Sequence, residues 1–213
     1  MVFTWLYCRF SIASGQVVYS VSEESNPGTT VANLVKDLNL NVRDLEHREF
    51  QIVSGPNKRY FDVNVKTGIL FLRERIDREV ICGRSARCSL ELEGNCQSPL
   101  SLYRFEVNVL DINDNAPVFH VPTLSLNVSE AALLGERLAL PNAYDGDVGS
   151  NSLKGYKLSQ NEHFSLDVQS GGEQSVSAEL VLQKPLDREK QPVIHLILSA
   201  IDGGKPLNLG RQR

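Results

Sequence analysis

The chain has 213 residues, of which 41% are hydrophobic and 23% charged, an ordinary globular composition that argues against a disordered polypeptide. Its formal net charge is −4, with no basic cluster of the kind that tracks a nucleic-acid backbone. No apolar run reaches the roughly 18 residues that suggest a helical membrane span, and the length allows one or two domains.

The segment from Met1 to Gly15 is apolar around Trp5 and Leu6 and ends on small residues at Ala13 and Gly15. That is the pattern of a secretory signal cleaved before Gln16, although it is short and lacks a basic start, so residues 1–15 read as an incomplete signal. Cleavage would remove Cys8 and leave Cys82, Cys88 and Cys96. Cys82 and Cys88 are spaced to permit a local disulfide in an oxidising compartment. So small a loop contributes only about 2 kcal/mol in the chain-entropy account. Cys96 is then left over, either free and buried or available for exchange. Zinc is disfavoured, because no His or fourth Cys lies at ligand spacing.

Strand patterns dominate. Phe61, Val63 and Val65 alternate with polar residues, and Lys66-Thr67-Gly68 turns the chain into Ile69-Leu70-Phe71-Leu72, which predicts a hairpin. Tyr103, Phe105, Val107 and Val109 alternate in the same way, as do Leu124, Leu126 and Val128, and Val193 to Ala200 is an apolar run broken only by His195 and Ser199. Long helical periodicity is absent. The predicted class is all-β, as a sandwich.

Self-similarity sets the domain plan. Tyr19-Ser20-Val21-Ser22-Glu23-Glu24 returns as Leu126-Asn127-Val128-Ser129-Glu130-Ala131, and Ile76-Asp77-Arg78-Glu79 returns as Leu186-Asp187-Arg188-Glu189, at offsets of 107 and 110 residues. Two homologous units are therefore expected, at 16–117 and 118–213. Asp77 precedes Asp111 by 34 residues, and the same step from Asp187 passes beyond Arg213. The second unit is thus expected to be truncated before its last strand, the equivalent of Leu102 to Leu110, and to be the less stable of the two.

Between the units lies Asp111-Ile112-Asn113-Asp114-Asn115-Ala116-Pro117. Carboxylates and carboxamides at this density repel or stay solvated unless a cation joins them, and hard oxygen ligands suit Ca²⁺, which takes about 6–8 of them. The proline forces the residue before it into an extended conformation, so the segment reads as a straight connector.

Together with Val118-Phe119, the two Asp-Arg-Glu motifs, the Glu that follows an early strand and Asp145-Gly146-Asp147, this segment resembles the cadherin repeats. The loop Cys82-Gly83-Arg84-Ser85-Ala86-Arg87-Cys88 and the run Gly15-Gln16-Val17-Val18-Tyr19-Ser20-Val21-Ser22-Glu23-Glu24 narrow the resemblance to the first two repeats of clustered protocadherins, of alpha or gamma type. The resemblance implies two Greek-key, immunoglobulin-like sandwiches and about three Ca²⁺ at their junction. It implies ligands from Glu23, Asp77 and Glu79 in the first repeat and from Asp111, Ile112, Asn113, Asp114 and Asn115 in the connector, Ile112 and Asn115 through backbone oxygens. Asp145, Asp147, Asn151 and Asp202 would complete the set from the second repeat, with Asn151 acting through its carbonyl. Glu130, Asp187 and Glu189 would form an incomplete second half-site. Eight ligands of the junction set, leaving aside Glu130, Asp187 and Glu189, carry carboxylates, so removing them from a net −4 leaves the remainder positive. The acidity is concentrated in the motifs, and calcium would turn mutual repulsion into cross-linking.

Other chemistries fit poorly. Asp145-Gly146-Asp147-Val148-Gly149-Ser150 begins like an EF-hand loop, but Ser150 and Tyr156 stand where that loop needs Gly and Glu. Carboxylates that recur in both repeats and in the connector suit a structural ion site better than one glycosidase cleft. His47, His120, His163 and His195 are scattered, and no G-x-S-x-G is present, so an enzyme is not expected. The only glycosylation sequon is Asn127-Val128-Ser129, with Asn127 expected to face solvent from a regular strand.

The expected function is calcium-dependent homophilic adhesion at the outer face of the plasma membrane. Its partners would be identical molecules on apposed cells and in cis, engaged with the help of further repeats. The alternative is a secreted, calcium-stiffened spacer or soluble decoy without self-recognition. No Trp follows Gln16, which argues against strand exchange and fits an antiparallel mode.

Overall fold

A computed structural model describes residues 17–53, 55–97, 99–171, 176–205 and 209–212. The signal expected at 1–15, with Trp5 and Cys8, lies outside the described residues. The chain divides into two compact units, one running to Cys82 and resuming at Arg87–Leu110, the other comprising Gly83–Ala86 and Asp111 onward.

The first unit is a two-sheet sandwich. One sheet contains β1 (Val17–Ser22), β3 (Gln51–Ile52), β6 (Ser89–Cys96) and β7 (Ser101–Leu110), in the order β1-β7-β6-β3. The other contains β2 (Thr30–Asn33), β4 (Phe61–Asn64) and β5 (Ile69–Leu72), in the order β2-β5-β4. β4 and β5 form the expected antiparallel hairpin, with Phe61 opposite Leu72 and Asn64 opposite Ile69. β1 runs parallel to β7, from Val17 opposite Phe105 to Ser22 opposite Leu110. Alternation in β7 buries Phe105, Val107 and Val109, which join Leu34, Phe61, Leu70, Leu72 and Leu92 in the core. Gly94 in β6 leaves room for the ring of Phe50, whose edge lies where a Cβ would stand. Two short helices follow β2, α1 (Leu34–Asp37) and α2 (Val42–His47), capped by the side chains of Asn33 and Asn41. A 3₁₀ turn (Pro56–Tyr60) precedes β4, and α3 (Arg78–Cys82) precedes β6. A disulfide joins Cys82 to Cys88, and Cys96 is a buried free thiol.

The second unit repeats this plan. β8 (Arg137–Ala139), β10 (Phe164–Ser170) and β11 (Val176–Leu182) are ordered β10-β11-β8, and β9 (Leu153–Leu158), β12 (Leu198–Asp202) and β13 (Leu209–Gln212) are ordered β13-β12-β9. These match β4-β5-β2 and β7-β6-β3 of the first unit, so the fold is all-β with two sandwiches of one topology. β13, the counterpart of β7, pairs antiparallel with β12 from Leu209 opposite Ile201 to Gln212 opposite Leu198, which corrects the expectation that the unit stops before its last strand.

Two further expectations are corrected. The alternating segment Leu124–Val128 is not a strand, and Leu124 and Leu126 are exposed. Its counterpart β1 is a strand because the late half of β7 lies alongside it, whereas 124–128 has no ladder partner among the described residues. Alternation makes a strand only when a neighbour takes its backbone hydrogen bonds. For the same reason the apolar run from Val193 is strand only from Leu198, and Val193 and Ile197 are exposed.

Candidate metal centre

The first unit brings Glu23, Asp77 and Glu79 together at one end. Glu23 follows β1, and its backbone N–H donates to the carbonyl of Leu110 at the end of β7. Its carboxylate accepts from the backbone N–H of Arg78 at 2.8 Å, and carboxylate oxygens of Glu23 and Glu79 lie within 4.8 Å of each other. Glu23 and Arg78 are both almost wholly buried, at 2% and 1% exposure. The Arg78 guanidinium stands 3.7 Å from the Glu79 carboxylate. Asp77 is exposed and also has a structural role, since its Oδ1 accepts from the N–H of Val80 in the first turn of α3.

In the second unit the connector and the loop before β9 form one cluster. Val118, just past the proline, exchanges two backbone hydrogen bonds with Tyr144, at 2.7 and 2.8 Å. That bridge fixes the connector beside Asp145. Asp111 accepts from the N–H of Val148 at 3.2 Å and from the carboxamide of Asn151 at 2.9 Å. Asn115 donates its side-chain N–H to Asp147 Oδ1 at 2.8 Å and to Asp114 Oδ1 at 2.7 Å, and its backbone N–H to Asp147 Oδ2 at 3.3 Å. Asp145 Oδ1 accepts from the N–H of Asp147. Ile112 turns its carbonyl to the N–H of Asp114.

The electrostatics are those of a carboxylate cluster in which the Arg84 guanidinium favours the charged form of Asp145. Asp145, Asp147 and Asp202 are buried, at 1%, 0% and 1% exposure. Burial is the main force that pushes the carboxyls of Asp145 and Asp147 up to about 6. Asp202 adds repulsion at Asp145, and Asp111 and Asp114 add it at Asp147. Among the described residues, Asp145 Oδ2 is buried with no hydrogen-bond donor. A buried, acceptor-only oxygen among carboxylates is a poor site for a neutral neighbour and a good one for a hard cation.

Two glycines that motif reasoning passed over complete the cluster. Asn113 occupies the space where a Cβ on Gly204 would stand, at 2.1 Å from its carboxamide carbon, and the carbonyl of Pro117 does the same at Gly210. Any side chain at either position would push the connector away. The visible signal was the pair Gly203-Gly204 directly after Asp202; Gly210 had none. Glu130 and Asp187, by contrast, lie apart from this cluster in sequence motif and surroundings: Glu130 accepts from the N–H of Arg188, and Asp187 pairs with Lys190 Nζ at 2.7 Å. Glu189 is exposed.

Known proteins bear on these features directly. The Cadherin-like family matches residues 16–94, and the Cadherin domain family matches residues 124–210. The chain belongs to the cadherin superfamily. Its cadherin repeats are 48% identical to human Protocadherin-10 over 89% of the chain and 18% of that protein. They are 45% identical to human Protocadherin gamma-C4 over 97% of the chain and 22% of that protein. Among solved structures, mouse clustered PcdhgC3 EC1-3 is 43% identical, with a TM-score of 0.88, covering 92% of this chain and 63% of that one. The chain thus spans about a fifth of the curated protocadherins it matches.

Proposed function

We propose that this chain is the adhesive, membrane-distal part of a cell-surface protocadherin, and that calcium bound between its two repeats sets their stiffness. The observation that carries the reading is the second unit's buried cluster of Asp145, Asp147 and Asp202, with Asp111 and Asn115 hydrogen-bonded into the same loop and Asp145 Oδ2 left without a donor. Asp111, Asn113, Asp114, Asp145, Asp147 and Asp202 would hold the cation side by side. Glu23, Asp77 and Glu79 would contribute from the base of the first repeat, with Asn151 and the carbonyls of Ile112 and Asn115 as neutral ligands. About three ions are expected. Bound calcium supplies the positive charge that lets these carboxylates approach without protonation.

The chain's own residues prepare the site. The Val118–Tyr144 bridge and the glycine clearances at Gly204 and Gly210 hold the connector against the second repeat, so the ligands need little ordering when the ion arrives. Without metal, the like charges favour separation of the connector from the first repeat. Recognition would follow from a stiffened tandem array meeting identical molecules in antiparallel fashion on an apposed cell, with further repeats completing the interface.

Calcium titration of the purified chain by calorimetry tests the reading. An apparent affinity of roughly 10⁻⁴–10⁻³ M is expected, as for extracellular modules. Asp145→Asn and Asp114→Ala should each weaken it about tenfold or more. No heat and no shift in melting temperature up to tenfold above that range would overturn the proposal.

A further inference from the structure

The disulfide loop Cys82-Gly83-Arg84-Ser85-Ala86-Arg87-Cys88 carries two arginines that take no part in the ligand set. Closing the ring through Cys82 and Cys88 limits the arrangements its backbone can take, and Gly83, at φ +55°, supplies a left-handed turn just before Arg84. The two arginines then part. Arg87 is exposed and pairs with Glu106 of the first unit at 2.6 Å. Gly83–Ala86 belong to the second compact unit, and there the Arg84 guanidinium stands 5.5 Å from the centre of the Tyr144 ring. Tyr144 is held by its two backbone hydrogen bonds to Val118, and its ring also meets that of His120, with 6.3 Å between centres. A guanidinium is weakly hydrated and attracted to an aromatic face, so Arg84 can rest there half-buried. The seat is one residue from Asp145, and the Arg84 charge acts on that buried carboxyl.

We infer that Arg84 is a built-in counter-cation of the Asp145, Asp147 and Asp202 cluster, and that it holds the calcium affinity of the site down. The inference rests on the calcium reading above. A guanidinium has no acceptor, so Arg84 is not a ligand; it acts through Asp145. Without metal, its charge offsets part of the repulsion among the carboxylates. A divalent ion arriving beside Asp145 meets this fixed positive charge as well as its ligands, and like charges oppose each other more strongly where water is partly excluded. The loop thereby shifts the site toward weak, reversible occupancy.

The full chain, titrated with calcium by calorimetry as wild type, Arg84→Gln, Arg84→Lys and Arg87→Gln, tests this. Arg84→Gln should bind about three- to tenfold more tightly, and that gain should shrink in about 1 M salt. Arg84→Lys keeps the charge and should stay nearer to wild type than to Arg84→Gln. Arg87→Gln makes the same change of net charge and should leave the affinity unchanged. A second readout needs no metal: in EDTA at neutral pH, Arg84→Gln should melt below wild type, and saturating calcium should narrow or reverse that difference. A purely structural role would lower both melting temperatures alike and would not tighten binding. Equal or weaker calcium binding by Arg84→Gln overturns the inference and leaves the calcium reading standing. Equal tightening by Arg87→Gln also overturns it, by making the effect one of net charge. Calcium binding in no sample sinks the calcium reading, and the inference with it.

Discussion

The corner made by a glutamate and an Asp-Arg-Glu motif occurs twice, and its two copies share a backbone but not an environment. In both, the glutamate accepts from the N–H of the motif arginine, Glu23 from Arg78 and Glu130 from Arg188. In both, the motif aspartate accepts from backbone N–H groups just after it, Asp77 from Val80 and Asp187 from Glu189 and Lys190. Yet Glu23 and Arg78 are buried, while Glu130 and Arg188 are exposed. Where the first copy has an exposed Val80, the second has Lys190, whose ammonium pairs with Asp187 and holds its carboxyl below the usual carboxylate range. A local motif therefore builds a shape twice; burial and charge neighbours decide whether the shape is a buried carboxylate corner or a solvated, already neutralised surface.

The sharpest way to break this comparison is in the cores. Phe105→Ala removes a ring 1% exposed from the larger cluster and should cost about 3–5 kcal/mol, whereas Leu126→Ala on the exposed segment should stay within about 0.5 kcal/mol. Urea unfolding read by Trp-independent circular dichroism distinguishes them; equal effects would mean that the second repeat is packed as tightly as the first.

Next in size is the corner itself. Glu23→Ala leaves the buried N–H of Arg78 without its acceptor and should cost about 1–3 kcal/mol in the first repeat. Glu130→Ala, in water, should cost under about 0.5 kcal/mol. Thermal melts in EDTA would show it, and a large loss for Glu130→Ala would erase the distinction drawn here. The Cys82–Cys88 bond should contribute about 2 kcal/mol, because the loop it closes is short. Cys82→Ser with Cys88→Ser, melted beside wild type, gives that figure.

The pH prediction has two opposite signs. Asp145 and Asp147 have folded-state values of about 6, above the 3.8 of a free carboxyl, so the folded form binds more protons than the unfolded one between those limits. Metal-free protein should gain stability from this pair as pH falls from 7 toward 4, and lose it as pH rises through about 6. In calcium the trend reverses, because protonation competes with the metal, and affinity should drop as pH falls through about 6. Melting temperatures from pH 4.5 to 7.5, with calcium and with EDTA, must diverge in this way; parallel curves would separate these carboxylates from the metal.

Periodicity and turn chemistry made much of this protein legible from its residues. The β4–β5 hairpin follows from alternation interrupted at Lys66-Thr67-Gly68, and β7 from its alternate apolar residues. The repeat of Glu23 and the Asp-Arg-Glu motif announced two sandwiches of one topology, and the acidic connector suggested the cation site proposed above. All of these are short-range patterns, which a chain carries with it before it folds. Three things were decided only by tertiary structure. Segment 124–128 has the alternation of β1 but no partner strand among the described residues, and a ladder needs two backbones. Gly204 and Gly210 matter because Asn113 and Pro117 come to lie against them from far along the chain. Folding buries Asp145, Asp147 and Asp202 together, and Glu23 in the first repeat, while Asp77 and Asp114 of the same motif set stay exposed, and desolvation is a property of the surroundings that no residue contains by itself.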